Sequence, residues 1–281
     1  PQSRNIMVFT YKGKTYPKDI TLNHPEIEGI LSKDFDLMTR RDYYTIMELV
    51  DEGFSSDLNN LVLREIGRQW GKTESELEND KTINLNIVSN ALMYSVYPEV
   101  KGVSYETLLE VLRQSDDFIN MNLPYVDGPY YPYAISLLWV YGCYNPEPLK
   151  DFLLEPGISH RGKEIVANMV GRLANLLHEE KNVENYRQVI RDVTDAYIKD
   201  YPEGKICDKQ VMSYIVYAAA DAGLKDMETK IRYIYDNGMV DESYCGDWEN
   251  TLFGLKDGAY MDEPITDSFQ LFFSKIKNSF A

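Results

Sequence analysis

Apolar residues recur along this chain at steps of three and four, the spacing that gathers side chains on one face of an α-helix. Tyr43, Ile46, Met47 and Val50 form one such stripe, and Leu58, Leu61, Val62, Ile66 and Trp70 the next. Ile165, Met169, Leu173, Leu176 and Leu177 predict another helix face, followed by Tyr186, Val189, Ile190, Val193 and Tyr197, then by Val211, Tyr214, Ile215, Ala218 and Ala222. Each helix is therefore one-sided and needs a neighbour to cover its apolar stripe. The N-terminal stretch reads differently. Ile6, Val8 and Thr10 alternate with Met7, Phe9 and Tyr11, and Lys12-Gly13 supplies a turn, which predicts a short extended or hairpin element.

Between the helical stripes stand Pro98 to Gly102, Asn145-Pro146, Pro156-Gly157, Pro202 to Gly204 and Asn237-Gly238, all short helix-to-helix connections. Taking Gly142 as a marker, the matching turn positions are Gly102, Asn182 and Gly223, spaced 40, 40 and 41 residues. Packing positions keep step with them. Tyr94, Ala134, Ala174 and Ile215 precede the markers, and Leu109, Leu149, Val189 and Ile231 follow them at the same offsets, to within one residue. A helix-turn-helix unit repeated at this interval cannot bury its apolar face alone, and stacking on the next unit solves the problem. The expected fold is all-α, a HEAT-like α-α superhelix, or solenoid of antiparallel helix pairs. It is read as one domain over 1–281, with the extended element in 1–22, N-terminal helices in 24–80, repeats in 81–255 and a C-terminal helix in 256–281.

Two segments carry a resemblance. Leu149-Lys-Asp-Phe-Leu-Leu-Glu155 with Pro156-Gly157, and the stretch from Ile231 to Leu252 with Asn237-Gly238-Met239-Val240-Asp241-Glu242 and Cys245-Gly246-Asp247-Trp248-Glu249, resemble an uncharacterised bacterial family of HEAT-like helical repeat proteins. The helix from Leu109 to Phe118 also fits, so the likeness extends over about residues 80 to 255. Some members of that family end in a cysteine-rich zinc tail, whereas Tyr260 to Ala281 holds neither Cys nor His. The resemblance implies the fold and brings no activity with it.

Charge narrows the partners. With 45 acidic against 29 basic residues the formal net charge is -16, which disfavours phosphate backbones and anionic membranes and suits a basic protein or peptide. Cys143, Cys207 and Cys245 match neither a disulfide framework nor a zinc spacing. No apolar run approaches the roughly 20 residues of a membrane span, and residues 1–30 lack a signal-peptide core. Cytoplasmic residence is the expectation.

Candidate chemistry is sparse. Gly71-Lys72-Thr73 lacks the upstream glycine of a phosphate loop, since that position is Ile66, and Thr73 with Glu76 reads instead as a helix cap. His178-Glu179-Glu180 has Asn182 where a zinc-protease helix needs its second histidine. His160 reads as a helix-start residue and His24 has no partner motif; no Gly-x-Ser-x-Gly elbow is present. Pairs such as Asp116-Asp117 and Asp262-Glu263 read as solvated faces. No catalytic residue, metal ligand or cofactor is expected. Binding candidates are Tyr125, Asp127, Tyr130, Tyr131 and Tyr133, rigid rings and an acid on a Pro-rich turn leading toward Trp139, together with Asp247 and Trp248. The bland reading is that the same rings seal the end of a repeat and that Asp247 caps the helix begun by Trp248. The expected function is a non-catalytic protein- or peptide-binding module. The alternative is an enzyme on an α/α scaffold, for instance a glycan-active one, using paired carboxylates and an aromatic cleft.

Overall fold

The computed structural model describes residues 8–11, 13–123, 131–176, 182–201 and 203–259, and nearly all of them are helical or join helices. They divide into two compact units, one running up to Leu137 and one starting at Leu138.

The first unit opens with a hairpin. Strands β1 (Val8–Tyr11) and β2 (Lys14–Pro17) pair antiparallel, Val8 opposite Pro17 and Tyr11 opposite Lys14. Two strands alone are marginal in water, and β2 is held by helices: Tyr16 is buried, its hydroxyl donates to Glu110 Oε2 at 2.7 Å, and Lys14 pairs with the same carboxylate. Helices follow as α1 (Glu26–Leu31), α2 (Arg40–Glu48), α3 (Glu52–Gln69), α4 (Glu74–Asn79), α5 (Asn86–Ser95), α6 (Tyr105–Leu112), α7 (Asp116–Asn122) and α8 (Pro132–Tyr144), the last crossing the division between units. The central helix α3 packs against β2, α5 and α6. It carries a buried polar row in which Arg64 pairs with Glu28 and Glu65, and Gln69 exchanges two hydrogen bonds with Asn122 at 3.1 and 2.6 Å. Such a row is tolerable in a core because its members satisfy one another.

The caps are those the sequence chemistry demands. Thr39 and Asp42 form a reciprocal capping box on α2, and Thr73 accepts from the Glu76 N–H at the start of α4. There the Glu76 carboxylate takes the Thr73 hydroxyl at 3.1 Å.

The second unit holds the end of α8 and then α9 (Glu147–Leu154), α10 (His160–Leu173), α11 (Val183–Asp200), α12 (Lys209–Asp221), α13 (Glu228–Asp236), α14 (Glu242–Cys245) and α15 (Trp248–Asp257). The most extensive packing joins α10 to α12, with α15 and α14 added on α12 and α11 on α9. Helices α10 and α12 run parallel: Lys163 near the start of α10 donates to Ile206 O just before α12, and Asn175 past the end of α10 donates to Asp221 O at the end of α12. They come close together at Gly171, where an added Cβ would lie 2.9 Å from Ala218 Cα.

One sequence expectation changes here. The stripe drawn through Leu176 and Leu177 ends early, because α10 stops at Leu173: Arg187 takes the Ala174 carbonyl and Asn175 turns away to Asp221 O. Leu176 is 57% exposed, and Leu177, like His178, lies outside the described residues. Gly142, the marker, stands in the last turn of α8, at the end of the helix that holds Ala134, Leu137 and Leu138. A side chain there would strike Leu173 Cδ1 at 2.7 Å and the Tyr186 hydroxyl at 2.9 Å, so the glycine serves a close approach. The eight packing positions that keep step with the markers are all buried. The C-terminal helix expected over 256–281 falls outside the described residues from 260 onward.

Candidate functional site

Of the binding candidates, Tyr125, Asp127 and Tyr130 lie outside the described residues. Tyr131 and Tyr133, in the first unit, are buried, as is Trp139, so the described part of the aromatic cluster presents no ring to solvent. Tyr131 adopts φ 53 immediately before α8, an uncommon conformation for a bulky residue, and its hydroxyl reaches Asn120 Oδ1 at 3.5 Å. In the second unit, Asp247 caps α15 by accepting from Asn250 N at 2.9 Å. Trp248 packs edge-on against Tyr235 at 5.7 Å with the Arg232 guanidinium 5.3 Å from its ring centroid. These contacts give Asp247 and Trp248 places in the architecture of their own unit.

A different set of residues converges. On α10, Glu164, Asn168 and Arg172 recur every fourth residue and so share one face; on α12, Tyr214, Tyr217 and Asp221 do the same at steps of three and four. Tyr244 of α14 ties the two ladders together. Its ring meets Tyr214 at 4.8 Å and Tyr217 at 5.7 Å, edge to face in both cases. Its phenol feels the Glu164 carboxylate and a hydrogen bond from Asn168. At the far end of the face, Arg172 lies close enough for its charge to act on Asp221.

The electrostatics are unbalanced. Asp221 is only 7% exposed, and among the described residues its Oδ2 meets no hydrogen-bond partner. Burial pushes its carboxyl up to about 7, an effect the Arg172 charge opposes without cancelling. Asn168 Oδ1 is a second buried oxygen with no partner among the described residues. Buried acceptors are nearly always satisfied, because each one left unmade costs about 1–3 kcal/mol. The same face also carries the buried Arg172 Nη1, a donor, so its buried polar atoms are of both kinds. Burial, then Glu164, raises the Tyr244 phenol above its usual range, with Asn168 opposing, so it stays a neutral hydroxyl. Tyr217, 37% exposed, is the part of the face open to solvent.

A contrasting cluster lies at the N-terminal ends of the same helices. The Lys163 ammonium is buried, donates to Leu153 O at 2.9 Å and Ile206 O at 2.7 Å, and stands over the Tyr197 ring at 5.5 Å. Burial lowers it to about 8 and raises the Cys207 thiol beside it. Nearby, His160 and Asp208 pair at 2.6 Å, and Asp208 caps α12 by accepting from Val211 N. Every group in this cluster has a partner, and its evident work is to fasten α9, α10 and α12 together.

The α10/α12 face was not among the sequence candidates. Its signal was present as two polar ladders of helical spacing, Glu164-Asn168-Arg172 and Tyr214-Tyr217-Asp221, each beside an apolar stripe. Nothing in sequence says that two ladders 50 residues apart will be apposed. Among the described residues no group of His, Cys, Asp and Glu gathers as a metal site would require, and no helix is long and apolar enough to cross a membrane. No protein-family model matches this chain, and neither does any curated protein or any solved structure.

Proposed function

We propose that the chain is a HEAT-like helical-repeat module that binds a basic protein or peptide, and that the α10/α12/α14 face is its binding surface. The observation that carries the reading is the acidic surplus, 45 acidic against 29 basic residues, together with a face on which Tyr217 is exposed beside Tyr244. The repeat reading draws support from hydrogen bonds that jump a near-constant distance in sequence. In the second unit, Lys163 to Ile206, Tyr186 to Gly142, Tyr197 to Leu153 and Asn175 to Asp221 span 43, 44, 44 and 46 residues. Units that touch mainly their sequence neighbours generate such a period. The likeness to HEAT-like proteins in 149–157 and 231–252 points the same way.

The glycan-cleaving alternative needs two carboxylates within about 9.5 Å. From the Gly171–Ala218 crossing, Glu164 and Asp221 stand about ten residues apart along parallel axes, or roughly 15 Å at 1.5 Å per residue. That pair does not serve it.

The test is fluorescence anisotropy with matched basic, neutral and acidic peptides. Basic peptides are expected to bind, with affinity falling as salt is added, and the double variant Y217A/Y244A to lose at least about tenfold, on the order of 1.4 kcal/mol. Equal binding of all three classes, or turnover of a glycan panel by the purified protein, would overturn the reading.

A further inference from the structure

We propose that Asn237 is a site of spontaneous deamidation, guarded in the folded chain by the cap that ends α13 and converted to aspartate and isoaspartate when that cap opens.

The sequence supplies the reactive pair. Asn237-Gly238 is the one Asn-Gly step in the chain. An asparagine cyclises when the backbone nitrogen of the next residue attacks its side-chain carbonyl carbon. Glycine hinders that nitrogen least, because it has no Cβ and the widest backbone freedom. Both residues are exposed, and open space lies where a side chain on Gly238 would point.

Water is the only co-reactant the chemistry needs. The Gly238 nitrogen bonds to Asn237 Cγ, its proton leaves with the side-chain amide as ammonia, and a succinimide ring remains. Water then opens the ring at either carbonyl. Opening at Cγ leaves an aspartate in the normal main chain. Opening at the main-chain carbonyl leaves an isoaspartate, in which the chain runs through Cβ and Cγ and is one carbon longer.

The fold holds the pair short of the attacking geometry. Ring closure needs the Asn237 Cα–C bond turned until the Gly238 nitrogen lies beside Cβ, whereas Asn237 sits at φ -97, ψ 8, a setting that turns the nitrogen away. Gly238 adopts φ 63, its N–H donates to Tyr235 O at 3.0 Å, and the Met239 N–H donates to Ile234 O at 3.0 Å. These are the paired bonds of a Schellman motif, and the buried Ile234 and Met239 are the apolar residues that accompany it. The Asn237 side-chain nitrogen is itself engaged by Tyr233 O at 2.8 Å. Attack therefore waits for the last turn of α13 to fray, a local opening that costs less than unfolding the whole chain.

Conversion changes the joint that follows. The extra carbon of isoaspartate falls just before the two amides of the motif, so the Gly238 and Met239 N–H groups lose register with Tyr235 O and Ile234 O. Two residues further on, Asp241 N donates to Ser213 Oγ of α12 at 2.7 Å, and the Asp241 side chain caps α14. Either product also places a negative charge at a helix C-terminus, next to Asp236, where the helix dipole disfavours it.

The experiment incubates the full chain at neutral pH, folded and in denaturing urea, and follows each asparagine by peptide mass spectrometry with chromatographic separation of the isoaspartyl form. In urea Asn237 is expected to convert before any other asparagine, and in the folded chain to convert about ten- to a hundredfold more slowly. M239A, which removes the buried anchor beyond the cap, is expected to speed conversion in the folded chain and leave the rate in urea unchanged. N237Q, whose ring would need a sixth member, is expected to stop conversion at this position. In the isoaspartyl fraction, hydrogen exchange at the Gly238 and Met239 amides is expected to be at least about tenfold faster than in fresh protein. Equal rates in folded and urea-treated wild type would overturn the proposal. So would a folded chain in which Asn237 stays intact throughout, faster conversion of another asparagine in urea, or unchanged exchange in the isoaspartyl fraction.

Discussion

At Asp221 a carboxylate is held where water cannot reach it and only one nearby cation helps, and this should be measurable without any ligand. The folded chain keeps the group protonated up to about pH 7, whereas its ordinary value is 3.8. Between those values the unfolded chain releases the proton and the folded chain retains it, so raising the pH favours unfolding. The contribution is harmless below pH 4 and grows to a deficit of up to about 4 kcal/mol above pH 7. D221N removes the ionisation, so it should match the wild type near pH 4 and exceed it at pH 8. Urea unfolding of both proteins at the two pH values checks this, and an identical difference at both would mean that Asp221 is not desolvated. Lys163 presents the reverse case, since its buried ammonium already has its partners. K163M keeps the volume but strands Leu153 O and Ile206 O, and a loss of about 3 kcal/mol is expected at pH 7. The loss should widen toward pH 10, because burial lowers Lys163 from 10.5 to about 8, and the unfolded chain holds its extra proton progressively less. A neutral or stabilising K163M would show that the ammonium is a net burden.

Between elements, the α10/α12 contact decides whether the face proposed for binding exists. Helix propensity alone says that Gly171 is a poor choice in mid-helix and that alanine should stabilise by about 1 kcal/mol. The packing says the opposite: a Cβ would sit 2.9 Å from Ala218 Cα and 3.1 Å from Ala218 O, both of which belong to a helix that cannot yield locally. Packing should win, and G171A is expected to cost about 2 kcal/mol and to weaken basic-peptide binding by parting the two ladders. A rise in thermal stability would show that the helices are less closely apposed. This contact also marks the limit of what could be read beforehand. The stripes of α2, α3, α11 and α12 were legible because one-sided burial imposes its period on the sequence. The hairpin was legible through its alternation and the Lys12-Gly13 turn. The end of α10 was not, because it is set by Arg187 and Asn175 capturing carbonyls from other helices, contacts with no local signature. The α10/α12 face was hidden for the same reason. Each ladder alone looks like the solvated side of a helix, and only their apposition turns Asp221 into a buried acid.

For the molecule as a whole, the acidic surplus is the property that sequence conveyed most directly, and it has a consequence apart from recognition. A formal charge of -16 on 281 residues makes the folded chain repel itself. Charges at the surface are screened within about 10 Å at 0.1 M salt and within about 3 Å at 1 M. Raising sodium chloride from about 0.02 M to about 0.5 M should therefore lift the thermal midpoint, by roughly 3 °C for a chain of this size. The same salt should weaken association with basic peptides, whose attraction runs through the same solvent. Buried charges respond differently. Asp221 lies beneath the surface and is paired with solvent hardly at all, so the stability gained by D221N at pH 8 should stay nearly constant across that salt range while both proteins shift upward together. Calorimetric scans of the two proteins at low and high salt separate the effects: parallel shifts place the Asp221 penalty in desolvation, whereas a gap that closes with salt would assign it to long-range repulsion from the other carboxylates.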